Sequence, residues 1–426
     1  MNRREFLKVL SGAGLAMPTL LGSSACVAPL GRNNSDTGLS HGYLTSEVSS
    51  NGALVWLRAD SGSRVALRYG KNLSLRADQV TAEYSVDPSS DDTAIIPLDG
   101  LESGSRYHYR AEVAGKMPGP VASFVTAPEP DDQGKVTFCF SGDTRENYQP
   151  FTVMDAIRAQ RPDFFLHLGD TIYADLNGAA QRLEEFWAKY RRNRDDYATQ
   201  RCFAETSVYA VWDDHEVAND YSPLHPLAPI GRKAFLDYWP IRRPASEPER
   251  IFRSVQWGAS VELFLLDTRQ YRNPNRSSML GRTQKEWFFD ALAKSSATFK
   301  FIGTSVPMAG GGGDRWDGYP KEREEILRFI MQKKLRGVSF MSADMHCASI
   351  TRVPGSGGLI DITAGPLGAP LNRITNSANR RYEFFLAENF NFAKVTVDLK
   401  AHPAEARVEF IDQDNRVFHR RKISAG

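Results

Sequence analysis

The sequence predicts two folded parts, a small all-β sandwich over residues 36–127 and an α/β domain over residues 135–426. Three observations carry this. The first part is a succession of short runs in which apolar and polar residues alternate, separated by Gly, Asn, Asp and Ser clusters. The second part alternates near-continuous apolar runs with amphipathic segments of helical period. Carboxylates and histidines recur where those apolar runs end, which is where an open α/β sheet places its binding crevice.

Taken in order, NGALVWLRAD (51–60) opens at a turn and runs into a strand with Trp56. RVALRYG (64–70), RYHYRAEV (106–113) and VASFVTA (121–127) alternate in the same way, and strands this short and this closely spaced suit a sandwich. PEPDDQG (128–134) reads as a linker. KVTFCFSGDTR (135–145) is a buried strand ending in Gly142-Asp143, and FTVMDAIRAQRPD (151–163) is an amphipathic helix stopped by Pro162. FFLHLGD (164–170) is the next strand. AQRLEEFWAKYRRNRDDY (180–197) is a charged helix, and its RRNRDD run (191–196) is expected on a solvated face. SVYAVWDDHEVAND (207–220) is a strand running into a polar loop. SVELFLLDTRQYR (260–272) and FKFIGTSVPM (299–308) are strands around the helix TQKEWFFDALAKS (283–295). EREEILRFIMQKKL (322–335) is a helix, GVSFMSADMHCASI (337–350) a strand and loop, and FAKVTVDL (392–399) with ARVEFID (406–412) a closing β-pair.

Lys and Arg number 53 against 51 Asp and Glu, so the chain lacks the strong basic field of a dedicated nucleic-acid binder. Arg3-Arg4 precedes a weakly apolar run with Gly12 and Gly14, too short and too glycine-rich to span a membrane. Residues 1–25 resemble a twin-arginine export signal, which implies the twin-arginine translocase as a partner and a periplasmic or cell-envelope location. Cys26 follows Ser23-Ser24-Ala25, so a lipid anchor at Cys26 and ordinary cleavage after Ala25 are both open. Cys139, Cys202 and Cys347 are too widely spaced for a disulfide framework or a zinc knuckle; Cys139 and Cys347, in apolar runs, are expected as buried free thiols.

The first predicted strand of the second part ends on Asp143. The second ends on Asp170, with Tyr173 three residues on. The third delivers Asp213, Asp214, His215, Glu216, Asn219 and Asp220, and a late strand delivers Asp344 and His346. If these strands are neighbours the carboxylates converge, and converging carboxylates repel and are costly to desolvate. Metal ions answer that cost. A set rich in Asp oxygen with one His and one Tyr favours hard ions, among them ferric iron, calcium, magnesium and manganese. A carboxylate bridging two ions is how a two-metal hydrolase is built: the ions activate a water and clamp phosphoryl oxygens, so no protein nucleophile is required.

SGD (141–143), HLGDTIY (167–173), WDDHEVAND (212–220) and SADMH (342–346) resemble, in order and spacing, the motifs of the metallophosphoesterase superfamily as they occur in PhoD-type alkaline phosphatases, distant relatives of the purple acid phosphatases. LLDTRQYR (265–272), DRWDGYP (314–320) and the β-rich N-terminal part are similar too. The resemblance implies a fold of a central β-sandwich flanked by helices, preceded by the small sandwich. It implies an exported phosphomonoesterase or phosphodiesterase that binds two or more metal ions, Fe3+ plus Ca2+ in the first instance, with Mn2+, Mg2+ or Zn2+ as alternatives. Carried over by position, Asp170 bridges the ions, and Asp143, Tyr173 and His346 hold the first. Asp214, Asp344 and Asn219 hold the second, where carboxylates in place of neutral donors suit calcium. His215 is the phosphate-contacting, proton-donating group. Many PhoD-type enzymes carry a Cys ligand at the end of the first strand; Asp143 stands there here, which opens manganese or calcium at that position.

Arg145 is placed either against phosphate or in a surface ion pair, and His167 as a core or supporting residue. GGGGD (310–314) is expected as an active-site loop, with Trp316, Asp317 and Tyr319 on its substrate side. The expected substrates are small or polymeric phosphate esters, and the expected state is a monomer. The rival readings are a phospholipase D-like or teichoic-acid-type phosphodiesterase and a non-catalytic envelope binding protein.

Overall fold

The computed structural model describes residues 35–425 except 77–78, 274, 311 and 373–381. The export-signal and Cys26 readings therefore lie outside the described residues. The N-terminal part contains β1 (Leu39–Ser46), β2 (Gly52–Ala59), β3 (Arg64–Gly70), β4 (Gln79–Val80), β5 (Tyr84–Ser85), β6 (Thr93–Asp99), β7 (Arg106–Val113) and β8 (Ala122–Val125). One antiparallel sheet runs β1-β2-β6; the other runs β4-β3-β7-β8, with β5 also on β3. The alternation seen in the sequence is the burial pattern: along β7, Tyr107, Tyr109, Ala111 and Val113 are buried and the residues between them half-buried. The Trp56 indole N–H donates to the Asp237 carbonyl at 2.8 Å, and the Tyr209 hydroxyl donates to Val48 at 2.8 Å, tying this part to the rest.

The remainder follows in the order β9 (Val136–Ser141), α1 (Thr152–Ala159), β10 (Phe164–Leu168), α2 (Leu183–Arg194), α3 (Tyr197–Glu205), β11 (Ser207–Val211), α4 (Ala228–Tyr238), β12 (Arg253–Trp257), β13 (Val261–Leu265), α5 (Gly281–Lys294), β14 (Phe299–Gly303) and α6 (Pro320–Gln332). Then come β15 (Val338–Ser342), β16 (Ala348–Arg352), β17 (Ile360–Thr363), β18 (Tyr382–Leu386), β19 (Asn391–Asp398), β20 (Glu405–Asp412) and β21 (Val417–Ser424). A 6-stranded sheet runs β11-β10-β9-β19-β20-β21, and a 7-stranded sheet runs β12-β13-β14-β15-β17-β16-β18.

Period-two burial then builds the layers. Phe164, Leu166 and Leu168 point into the core between the sheets, where they meet Leu263, Leu265, Phe301 and Met341. Phe165 points the other way, with Cys139 and Val208, into a second core against α1–α4. Phe264, Ile302 and Phe340 pack the outer face of the second sheet against α5 and α6. The Phe138 and Phe164 rings stack at 4.9 Å, and burying one such side chain contributes about 1.5–3 kcal/mol. The result is a two-sheet sandwich flanked by helices, as expected. Strands β9, β10 and β11 are mutually parallel, and so are β13, β14, β15 and β17, so both sheets present strand C-termini at one end.

One expectation fails here. The RRNRDD run is not a solvated face: Asn193, Arg194 and Asp196 are buried. The Arg194 guanidinium lies 4.3 Å from the Trp239 ring centroid, and the aromatic face replaces part of its hydration. Asp196 accepts from Thr199 N at 2.8 Å and caps α3.

Candidate metal centre

Four of the strands ending there deliver carboxylates. Asp143 leaves β9, Asp170 leaves β10, Asp213 and Asp214 leave β11, and Asp344 leaves β15. Asp143, Asp170, Asp344 and His346 all have positive φ, between 50° and 67°, which turns each side chain sharply off its strand at a backbone cost. Gly169, at φ 105°, lets the two loops touch, because a Cβ there would stand 2.6 Å from the Cβ of Asp213. Glu216 is a brace: it accepts from Thr171 N and from Asp213 N, clasping the loops after β10 and β11.

Three overlapping groups follow. Ligand atoms of Asp143, Asp170 and His346 lie within 4.8 Å of one another; so do those of Asp170, Asp214 and His215, and those of Asp213, Asp214 and Asp344. Asp170 belongs to the first two groups, the position of a bridge. The Tyr173 hydroxyl is 3.1 Å from His346 Nε2, which adds the phenol to the first group. Asn219 is exposed, and its backbone N–H donates to Asp175 at 2.9 Å. Its neighbour Asp220 forms a further group with Asp214 and Asp314.

The electrostatics are those of a site built for cations. Both Asp143 carboxylate oxygens are buried with no hydrogen-bond partner, and a buried carboxylate left so is costly. Burial, then the neighbouring Asp344 and Asp213 carboxylates, push Asp143 well above the usual carboxylate range. Burial, then Asp214 and Asp213, do the same to Asp170, and burial pushes Asp213 to about 7 despite Arg269. Burial holds His346 below the ordinary imidazole value, so the ring is neutral as a ligand must be. The residues present fit metal ions.

His215 is held by Asp175, whose carboxylate is 2.8 Å from Nδ1. Burial works against its charge, but Asp175 and Asp214 outweigh it and raise its pKa above the ordinary value. Asp175 carries no assigned role in the sequence pattern, although it lies only two residues beyond Tyr173. Replacing Asp175 by Asn is expected to lower kcat by about 10–100-fold with the fold intact, the usual cost of losing a group that orients an active-site imidazole. Steady-state kinetics beside a thermal melt checks this; an unchanged kcat would remove the orienting role.

Arg145 carries its guanidinium carbon 5.9 Å from the Tyr173 ring centroid, at the first group of ligands. His167 supports from behind, with Nε2 3.2 Å from Thr144 Oγ1. Two expected substrate-lining residues are displaced. Trp316 is fully buried, and its indole N–H donates to Thr304 Oγ1 at 3.0 Å. Tyr319 is buried under the Arg272 guanidinium. Both fill the apolar core over the second sheet, because their rings gain more from packing than from facing a polar cleft. Asp317 pairs with Arg323 and accepts from Gly310 N, anchoring the loop.

Residues 137–373 match the family described as PhoD-like phosphatase. The chain belongs to the PhoD-like phosphatase family. Residues 25–128 match the PhoD-like phosphatase N-terminal domain. Alkaline phosphatase D of Bacillus subtilis (strain 168) is 26% identical over 318 residues, covering 61% of this chain. The chain spans about half, 54%, of that relative's length. A solved structure described as "Structure of PhoD" superposes with a TM-score of 0.80 at 20% identity, covering 94% of each chain. Purple acid phosphatase PPD1 of yellow lupin (Lupinus luteus) gives 0.70 at 14% identity, covering 91% of this chain and 74% of its own. At these identities the two structures establish a shared fold. Within the PhoD-like family frame, three charged residues of the site were not legible as such in the sequence: Asp175, Arg269 and Arg315.

Proposed function

We propose that this chain is a metal-dependent phosphoesterase, acting on phosphomonoesters or phosphodiesters. The convergence of Asp143, Asp170, Tyr173, Asp214, Asp344 and His346 at the strand C-terminal ends of the two sheets, with the Asp143 oxygens buried and without hydrogen-bond partners, carries the reading. Asp143, Asp170, Tyr173 and His346 would hold one ion, and Asp170, Asp214 and Asp344 the other. Fe3+ suits the phenolate-containing set and Ca2+ the all-carboxylate set, with Mn2+ the alternative where Asp143 replaces a thiolate. When bound, the ions supply an activated water and neutralise phosphoryl charge. His215, its Nδ1 engaged by Asp175, holds a proton on Nε2 for the leaving oxygen. Arg145 provides a charged fork for phosphoryl oxygens beside Tyr173. Export by the twin-arginine translocase and a monomeric state are inferred from the sequence alone.

The test is hydrolysis of p-nitrophenyl phosphate and bis(p-nitrophenyl) phosphate by the metal-reconstituted protein. Activity on either, lost on chelation and restored by Mn2+ or by Fe3+ with Ca2+, is expected, and the preferred substrate separates monoesterase from diesterase. A protein that binds stoichiometric metal yet cleaves neither substrate is a binding protein, and the proposal falls.

A further inference from the structure

The charged helix α2 turns a polar face toward the site. Lys189 and Asn193, four residues apart and so on one face, are both buried. Asn193 donates from Nδ2 to the Thr144 carbonyl at 2.7 Å, between Asp143 and Arg145 in the chain. Lys189 reaches a second loop. Its ammonium donates to the Leu176 carbonyl, to the Asn177 carbonyl at 3.4 Å and to Glu146 Oε1 at 3.3 Å. An ammonium has three protons, and each has an acceptor there. Lysine is almost never buried unless paired, and a well-packed apolar side chain would cost no more in the same place. What Lys189 supplies in return is direction: it ties the loop after Tyr173 to the residue that follows Arg145.

The loop it grips carries Asp175. Residues 175–179 are half-buried or exposed and form no helix or strand. Asn177, at φ 53°, and Gly178, at φ 86°, turn the chain tightly, and the Ala180 N–H closes the turn on the Ala174 carbonyl at 2.8 Å. One Asp175 oxygen lies 2.8 Å from His215 Nδ1, and the other accepts from Asn219 N at 2.9 Å. The two residues that directly follow Asp175 are therefore the two whose carbonyls Lys189 holds. We propose that Lys189 is a positioning residue for His215, acting through the Asp175 loop. The inference rests on the phosphoesterase reading above, in which His215 gives its Nε2 proton to the leaving oxygen. Without the ammonium, the Leu176 and Asn177 carbonyls lose a charged donor and the loop is left with its base alone. Asp175 then drifts from Nδ1, and the imidazole loses the bond that aims Nε2.

Lys189→Met keeps much of the volume and removes all three bonds. In the Mn2+-loaded protein its kcat is expected to fall about tenfold further on phenyl phosphate than on p-nitrophenyl phosphate, or on the corresponding diesters, because p-nitrophenolate leaves with little need of a proton. Adding Lys189→Met to Asp175→Asn should cost nothing more on either ester, since both changes act through one imidazole. With or without metal, hydrogen exchange should quicken together in residues 174–178 and at Asn219, whose N–H is held by Asp175. Lys189→Met combined with Glu146→Gln strands no carboxylate and should behave in the same way, which separates lost positioning from a fold weakened by an unpaired charge. Equal losses on both esters, an additive loss in the Asp175→Asn background, or faster exchange confined to residues 174–178 overturns the proposal and leaves Lys189 a structural brace. Failure of the phosphoesterase reading is seen separately, in a parent that cleaves neither ester; exchange at Asn219 then still decides whether Lys189 holds Asp175.

Discussion

Asp143→Asn is expected to abolish ester hydrolysis, by about 1,000-fold or more, while raising the stability of the metal-free protein by about 1–2 kcal/mol. Both effects come from one fact. The Asp143 carboxylate is 1% exposed, has no hydrogen-bond partner on either oxygen, and faces Asp344 and Asp213, which with burial push its pKa well up. Without metal, the folded state must either hold that charge unpaired or take up a proton. A carboxyl whose folded pKa is raised favours folding below its unfolded value and loses that contribution as pH rises towards the folded value. At neutral pH the metal-free parent therefore carries a destabilising group, which the amide removes. The amide also removes an anionic donor from the group of Asp143, Asp170 and His346. Chemical denaturation of the chelated proteins, beside turnover of the reconstituted ones, checks both signs. A metal-free variant less stable than its parent would mean that Asp143 is a structural residue held by contacts other than a metal.

The candidate ligands Asp143, Asp170, Asp214, Asp344 and His346 were legible because each is a local event, a run of buried residues broken by a polar one at or just after a strand end. What stabilises them was not legible, because it comes from far along the chain. Arg269 reaches Asp213 across 56 residues, and Arg315 reaches Asp344 from the preceding loop. Nothing in an isolated Arg distinguishes a surface ion pair from a buried counter-charge. The two aromatics read as substrate-lining fail for a related reason: proximity to a glycine-rich loop says nothing of which way a ring turns, and Trp316 and Tyr319 turn inward. Arg194 shows the limit of charge patterning, since three aromatic rings around it make burial tolerable. In the fold, strands such as β9 and β10 were plain because they are buried on both faces. Edge strand β21 alternates only between half-buried and exposed residues, and helix α4 carries Pro229 and Gly231 in its first turns, so neither stood out.

Arg269→Met is expected to cost the metal-free protein about 3–5 kcal/mol, the largest stability effect of any single change at the site. Arg269 is 0% exposed and bonds Asp213 through Nε, with Nη1 2.8 Å from Asp314 and Nη2 3.7 Å from Asp214. Burial opposes its charge, and the three carboxylates outweigh that opposition. Methionine matches much of the volume, so the loss isolates charge rather than packing. Removal leaves the buried Asp213 with only the Ser305 hydroxyl against its charge, while the partly exposed Asp314 keeps Arg272. Two comparisons separate this from generic core damage. Adding Asp213→Asn to Arg269→Met should restore part of the loss, because the stranded charge goes with its partner. Bound metal should also narrow the gap between Arg269→Met and the parent, since cations on Asp214 supply positive charge at the same cluster. Urea unfolding with and without Mn2+ reads both. Equal losses in every background would make Arg269 a packing residue. The expected pattern makes it a permanent counter-ion, holding the carboxylates together until metal arrives.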